Sequence, residues 1–239
     1  MKTLVVYAHP EPRSFCAALL RAGKEALESA GHQVVVSDLY AMGFSPVAGR
    51  EDFLEVADPD FFKYQREQQH AAAHEAFAAD IAAEQRKLLE ADFVILHFPL
   101  WWFGTPAIMK GWFDRVLALD FAYGGGRWFE HGPLRGRRAM LTMTAGAPRA
   151  RYSSGAIFGA IERTLFPIHV GVLNLVGLAV LEPFIAWAPV RMSEAERSSC
   201  LEAYRRRLRS IESEPALPFH SIADNPDPCT RGRASRQRP

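Results

Sequence analysis

The chain has 239 residues, with 28 Lys and Arg against 27 Asp and Glu, so its formal net charge is +1. This balance argues against a nucleic-acid partner and a polybasic membrane-surface protein, and the 49% of hydrophobic residues excludes disorder for the body of the chain. No apolar run approaches the ~20 residues of a membrane span. The apolar stretch in the opening residues is too short for a signal peptide. The three cysteines, Cys16, Cys200 and Cys229, are far apart in the sequence, which fits a reducing compartment. The sequence therefore predicts a cytoplasmic protein.

Short apolar runs alternate with longer amphipathic stretches along the chain. The runs predict five strands, at residues 2–8, 33–37, 93–98, 139–144 and 178–187. The stretches between them predict helices at residues 14–30, 75–91, 105–119, 153–176 with a break near Pro167, and 193–212. Continuous apolar runs are typical of strands covered on both faces. The alternation therefore predicts an α/β fold, a sandwich of helices on a parallel sheet with right-handed crossovers.

One helix start and two segments stand out from this alternation. Thr105 is a suitable N-cap, and Pro106 suits the first helical position. Residues 39–74 form a long connection after the second strand. Residues 214–239 are rich in proline and arginine, and they predict an extended, disordered tail after a single domain at 1–213.

Three loops follow the carboxyl ends of predicted strands, at residues 9–15, 99–104 and 144–148, the last leading to Tyr152. In an open parallel sheet, ligands bind at this edge, where the strand order reverses. If the first strand lies between the second and third, and the fourth flanks the third, then all three loops meet. The topology therefore predicts one site built from these loops.

The first loop suits a phosphate group. Ser14 would cap the following helix, whose free N–H groups and dipole favour an anion, and His9 and Arg13 could add donors. The loop lacks the glycine-rich fingerprints of dinucleotide-binding and P-loop folds, so neither fold is supported.

The other two loops suit a flat aromatic ligand. Trp101, Trp102 and Phe103 follow one another directly after a buried strand, where large rings could stack on such a ligand. The third loop offers small residues, which allow close backbone approach, and then Tyr152, a phenol able to donate to a developing anion.

With these loops assembled, residues 2–212 resemble the NAD(P)H:quinone oxidoreductase (DT-diaphorase) family. The most specific stretches are YAHPEPRSF, SDLYAMGFSPV, AAEQRKLLEADFVI, HFPLWWFGTPAIMKGWFDRV followed by FAY, and VLEP. The resemblance implies a flavodoxin-like α/β fold, a doubly wound five-stranded parallel sheet of order 2-1-3-4-5 with helices on both faces. This fold would bind FAD, with FMN the less favoured flavin. It also implies a homodimer with the site at the subunit interface. The implied activity is two-electron, ping-pong reduction of quinones by NADH or NADPH, through hydride transfer at the flavin N5.

The resemblance also assigns residues to parts of this site. The flavin diphosphate would lie against His9, Arg13, Ser14, Phe15 and Cys16, and Arg197 would lie near the adenine. The flavin ring would contact Pro99, Leu100, Trp101, Trp102 and Phe103, with Thr144, Ala145, Gly146 and Ala147 on its pyrimidine side. Tyr152 would be the catalytic donor, and Tyr123 of the other subunit would line the substrate pocket with Gly125 and Phe158.

Six positions depart from the family pattern. Phe158 stands where mammalian members have a histidine that pairs with the tyrosine matched by Tyr152, so the tyrosine–histidine proton relay is incomplete. Gly125 replaces a second pocket tyrosine, and Ala145 and Ala147 alter a loop that is Thr-Thr-Gly-Gly in the family. A zinc site of one branch uses two histidines at positions that are Val170 and Asn174 here, so no metal is expected.

Two further functions remain open at this stage. One is a flavin-binding regulatory subunit of a potassium-efflux system, and the other is an electron-transfer flavodoxin that carries FMN. The insertion at 39–74 and the region after the fifth strand favour the free-standing enzyme. The neutral charge also argues against the flavodoxin, since flavodoxins are typically acidic.

Overall fold

The computed structural model describes residues 1–219 and 221–223. The strands are β1 (Lys2–Tyr7), β2 (Gln33–Asp38), β3 (Phe93–Pro99), β4 (Arg138–Ala145), β5 (Ala179–Val180) and β6 (Phe184–Trp187). The α-helices are α1 (Phe15–Ser29), α2 (Tyr64–His74), α3 (Ala79–Glu90), α4 (Ala107–Val116), α5 (Ile161–Ile168) and α6 (Glu194–Arg209). A π-helical segment, His169–Asn174, follows α5 directly.

The predicted sheet and its strand order are confirmed. The order is β2-β1-β3-β4-β5, and every pairing is parallel. All seven residues of the central strand β3 are buried, as its unbroken apolar run predicts. The predicted fifth strand is divided in two, and both β5 and β6 pair with β4. Pro183 lies in the gap, where it has no N–H to donate to the sheet.

Helices cover both faces of the sheet. On one face α1 packs against α6, where Leu19 and Leu27 share a core with Tyr204 and Leu208. On the other face Trp112 of α4 joins a larger core with buried side chains of β1, β3 and β4. The two layers fix the backbone up to the last residue of each strand, which is where the three predicted loops begin.

Several element boundaries differ from the sequence predictions. The connection at residues 39–74 contains α2, which is rich in polar side chains and lacks a clear apolar stripe. The helix predicted from Ser153 begins only at Ile161, because residues 153–160 form turns and irregular chain after the 3-10 helix Arg149–Tyr152. Pro106, not Thr105, occupies the cap position of α4, and Thr105 makes no capping hydrogen bond.

A buried ion-pair cluster anchors the 39–74 segment to α4. Arg115 is 3% exposed, and its guanidinium lies 2.7 Å from a carboxylate oxygen of Asp52 and 2.7 Å from one of Asp80. The Tyr64 hydroxyl donates to the second oxygen of Asp52 at 2.6 Å. The cluster thus joins α2, α3 and α4, and α4 begins immediately after the aromatic loop.

Part of the predicted tail lies in the described region. Residues 214–219 contain no helix or strand, the Leu217 N–H donates to the Val180 carbonyl at 2.7 Å, and Leu217 and Phe219 pack on the larger core. Residue 220 and residues 224–239 lie outside the described region, so the predicted disorder of the tail stays a prediction.

Two buried histidines predict that acid destabilises the fold. Burial lowers the pKa of His97 to about 3 and that of His169 to about 4. Both rings stay neutral in the folded chain, whereas the unfolded chain takes up a proton at each near its ordinary pKa of about 6.5. Stability is therefore fully present above about pH 6.5 and declines as the pH falls, by about 1.4 kcal/mol per pH unit for each histidine.

We therefore expect the free energy of unfolding to be about 3 kcal/mol lower at pH 5 than at pH 6.5 from these two groups. Urea titrations at the two pH values measure this difference. In the variant His169→Gln, the slope of the unfolding free energy against pH should be smaller by about one proton, or about 1.4 kcal/mol per pH unit. A slope identical in wild type and variant would contradict the assignment of His169.

Candidate active site

The three predicted loops do meet at the carboxyl edge of the sheet. The Leu100 N–H donates to the Thr144 carbonyl at 2.8 Å and so joins the second loop to the third. The Ala188 N–H donates to the Ala145 carbonyl at 2.7 Å and brings the chain after β6 to the same place. These backbone bonds hold the loops in one surface without help from side chains.

A cavity of 270 Å³ opens at the start of α1, and we call it the helix-start cavity. Ser14 caps the helix by accepting from the Ala17 N–H at 3.1 Å, which leaves earlier helical N–H groups to face a ligand. Six residues predicted from the sequence line this cavity: His9, Ser14, Phe15, Cys16, Thr144 and Arg197. The donors and the helix terminus fit an anionic group such as a diphosphate.

The first loop places no carboxylate in the helix-start cavity, so no negative side chain there opposes an anion. The Nδ1 of His9 accepts from the Glu11 N–H at 3.0 Å, and burial lowers the pKa of His9, so its ring is neutral at pH 7. Burial raises the pKa of the Cys16 thiol to about 12, which keeps it protonated. Arg13 does not line the cavity. Its exposed side chain pairs with Glu11 at 3.1 Å.

The aromatic loop is a tight turn with a strained backbone. Trp101 and Gly104 exchange two backbone hydrogen bonds, of 3.1 and 2.9 Å, and the two residues between them have φ values of 51° and 59°. Such left-handed conformations cost an ordinary residue about 1–2 kcal/mol. The turn leaves Trp102 99% exposed and holds Trp101 and Phe103 about half exposed. Its position and its strain both point to a ligand-binding role.

Four rings form a cluster beside this turn. Tyr152 lies 5.2 Å from Phe158, 5.2 Å from Trp187 and 6.1 Å from Phe103, measured between ring centroids. Phe103 and Phe158 meet edge to face at 5.3 Å. Burial raises the pKa of Tyr152, so the phenol keeps its proton throughout the ordinary pH range. The cluster therefore presents a protonated donor held by apolar rings.

Tyr123 and Gly125 are not brought to these loops within one chain. Tyr123 lines a separate cavity of 570 Å³ with residues of α2, α4 and the π-helical segment. Gly125 has a φ of 59° in a turn closed by the Arg127 N–H and the Gly124 carbonyl, at 2.9 Å.

The remaining predicted residues lie on the loops as expected. Pro99 pairs with Thr144 in the sheet, Ala145 is buried, and Gly146 is exposed with open space at the position of a side chain. The residues predicted to contact the flavin ring thus lie around the carboxyl ends of β3 and β4.

The comparisons with known proteins agree with this fold. The family described as flavodoxin-like fold matches residues 1–209. Human ribosyldihydronicotinamide dehydrogenase [quinone] is 40% identical over 218 residues, covering 91% of this chain and 94% of its own. NAD(P)H dehydrogenase [quinone] 1 of Rattus norvegicus is 40% identical over 219 residues, covering 91% of this chain and 80% of its own.

A solved structure is similar as well. A crystal structure from Klebsiella pneumoniae, of a protein assigned as a quinone reductase, has a TM-score of 0.90 and 41% identity, covering 92% of this chain and 88% of its own. The chain belongs to the flavodoxin-like NAD(P)H:quinone oxidoreductase family. Its relatives are oxidoreductases by name, which confirms the enzyme class that the family resemblance implied.

Three residues of the site were not predicted from the sequence. Trp187 completes the ring cluster, and Pro189 and Val190 line the helix-start cavity. Trp187 is the last residue of β6, and Pro189 and Val190 follow it. The rule that ligands bind at strand ends could have included this segment as a fourth loop.

The described part of the chain shows neither a metal-binding cluster nor a membrane-spanning helix. Across residues 1–219 and 221–223, no three His, Cys, Asp or Glu side chains form a group that could hold a metal ion. Over the same residues, no helix is both long and apolar enough to cross a bilayer.

The strained turn predicts a gain in stability on substitution. Trp102 makes almost no contact within the chain, and asparagine tolerates the left-handed region better than tryptophan does. We expect Trp102→Asn to raise the free energy of unfolding of the flavin-free protein by about 1 kcal/mol. Urea denaturation measures it.

The matched control is Phe61→Asn. Phe61 is also an exposed aromatic, at 67%, but it lies outside the left-handed region. It should change stability by less than about 0.5 kcal/mol. Equal effects of the two substitutions would contradict the role of backbone strain.

Proposed function

We propose that this chain is a flavin-dependent NAD(P)H:quinone oxidoreductase that binds FAD at the carboxyl edge of its sheet. The observation that carries the proposal is that six residues from separate segments line one cavity beside the exposed aromatic turn. When bound, FAD supplies hydride acceptance and donation at its N5 in a ping-pong cycle between a nicotinamide donor and a quinone.

The residues present fit such a group. Ser14 and the start of α1 would hold the diphosphate, and Thr144 would sit between the diphosphate and the ring. The backbone of Leu100 and the rings of Trp101, Trp102 and Phe103 would flank the flavin ring. Pro189, Val190 and Arg197 extend the cavity toward α6, which favours a dinucleotide over FMN.

Tyr152 would supply the hydrogen bond that the reaction needs. Its phenol would be a fixed donor beside the pyrimidine edge of the flavin, where it would stabilise the negative charge that flavin reduction develops. The phenol keeps its proton because burial raises its pKa. Phe158 cannot share a proton with it, so Tyr152 alone would act, with water as its only assistant.

The proposal includes a homodimer. Tyr123 lies in a different cavity from the flavin loops, so it would serve the site of a second copy. Large apolar side chains are also strongly exposed, including Ile157 at 81% and Phe166 at 60%, which is typical of a protein interface. Sedimentation analysis of the holoenzyme tests the dimer, and a monomer would overturn it.

The test of the function is spectroscopic. Purified protein should carry a flavin absorbance that bleaches anaerobically under a donor and recovers on addition of a quinone. NADH, NADPH and ribosyl dihydronicotinamide are the donors to compare, since the names of the relatives include both kinds. Acid release and chromatography then distinguish FAD from FMN. Protein that stays colourless after incubation with excess of both flavins would overturn the proposal.

A further inference from the structure

The segment between Thr144 and Ile161 carries positive charge without an acidic residue. Its two charged side chains are Arg149 and Arg151, and both are exposed on one short 3-10 helix. Within residues 1–219 and 221–223, Arg151 forms neither an ion pair nor a side-chain hydrogen bond. Its guanidinium carbon instead lies 5.8 Å from the centroid of the Phe158 ring, a distance typical of a cation–π contact.

The neighbouring loops do not cancel this charge. Residues 99–106 carry no charged side chain, and residues 188–193 carry only Arg191. Glu11 of the first loop is already paired with Arg13 at 3.1 Å. The loops around the ring cluster therefore carry a net positive charge. The carboxylate of Glu196, on the neighbouring first turn of α6, accepts from the Ser193 N–H at 2.7 Å.

The contact with Phe158 places the guanidinium next to the proposed reaction centre. Phe158 meets Tyr152 at 5.2 Å and Phe103 at 5.3 Å, so a single ring separates Arg151 from the phenol and from the aromatic turn. A molecule that lay over the ring cluster would carry its substituents toward Arg151. Diphosphate recognition is assigned to other residues, those of the helix-start cavity.

We propose that Arg151 is a specificity determinant that selects donors or acceptors carrying an anionic substituent. The inference rests on the proposed function and adds a substrate class to it. A planar guanidinium binds carboxylate, sulfonate and phosphate oxygens in pairs, and the stack on Phe158 holds it in place before binding. The anion is either a substituent of the quinone or the phosphate of the nicotinamide donor, and two arms of one experiment distinguish these sources.

The acceptor arm compares para-naphthoquinone with its sulfonate, at a fixed concentration of ribosyl dihydronicotinamide, a donor without phosphate. The donor arm compares NADH and NADPH with ribosyl dihydronicotinamide, with the uncharged quinone as acceptor. The variant is Arg151→Met, which keeps the length of the side chain and removes the charge. The control is Arg149→Ala, which removes one charge from the same 3-10 helix but no ring contact.

We expect Arg151→Met to lower the ratio of kcat/KM for the charged over the uncharged partner by about tenfold in one arm. Because intrinsic reactivity is the same for wild type and variant, this ratio isolates recognition. The preference of the wild type should also weaken as ionic strength rises, and that of the variant should not. Arg149→Ala should leave the ratio unchanged.

The outcomes separate the two claims. A response in the acceptor arm places the anion on the quinone, and a response in the donor arm places it on the nicotinamide. Turnover with unchanged ratios in both arms, or an equal loss for charged and uncharged partners, overturns the inference alone. No turnover with any donor or acceptor overturns the proposed function and the inference with it.

Discussion

Replacing Tyr152 with phenylalanine is expected to lower kcat for quinone reduction by about a hundredfold or more. The substitution removes only the hydroxyl, and the ring can keep its contacts with Phe158 and Trp187, which lie 5.2 Å away. In other enzymes one fixed donor to a developing anion contributes about 2.7–4 kcal/mol. Stopped-flow measurement of flavin reduction under a nicotinamide donor is the direct readout.

Two matched variants make the result specific to the hydroxyl. Tyr40→Phe removes a hydroxyl at a residue outside the ring cluster, and it should leave the rate as it is. Phe158→His restores a polar ring 5.2 Å from Tyr152, and it should speed flavin reduction. If Tyr152→Phe reduced the flavin as fast as wild type, the phenol would not be the donor.

The largest effect on stability is expected at Asp52. Asp52→Ala removes the buried carboxylate that accepts from Arg115 at 2.7 Å and from the Tyr64 hydroxyl at 2.6 Å. It leaves a guanidinium, 3% exposed, with one of its two carboxylates missing. Breaking a buried pair from one side costs about 3–5 kcal/mol, so we expect a loss of that size in urea denaturation.

Lys110→Ala is the control for this prediction. Lys110 also forms an ion pair on α4, with Asp114 at 2.6 Å, but both side chains are about half exposed or more. Exposed pairs contribute less than about 1 kcal/mol. Similar losses for the two variants would show that burial does not set the strength of the Asp52 cluster.

The sequence predicted the parallel sheet because strand burial leaves a clear pattern. The apolar run of β3 is buried on both faces, and the order 2-1-3-4-5 was implied by the flavodoxin-like resemblance. Helix α2 escaped prediction because its side chains are mostly polar and its position is set by long-range contacts. The Asp52–Arg115 pair spans 63 residues of sequence, and no local pattern announces it.

The site was predictable to the extent that it depends on strand ends. Ser14 caps α1, and Thr144 and Arg197 reach the same cavity, as the loop positions and the family resemblance indicated. Arg13 has an alternative partner in Glu11, two residues away, and this local competition kept it out of the cavity. The left-handed turn at Trp102 and Phe103 could not be foreseen, because nothing in those side chains favours it.

The segment from Glu214 to Phe219 covers an edge of the sheet that would otherwise be exposed. β5 is the outermost strand, and the outward carbonyl of Val180 is taken by the Leu217 N–H at 2.7 Å. Unprotected outer strands invite other chains to add on and aggregate. A polypeptide shortened to residue 213 would lose the hydrogen bond to Val180 and the packing of Leu217 and Phe219 on the larger core. Recombinant work on this protein should therefore keep the chain through residue 219.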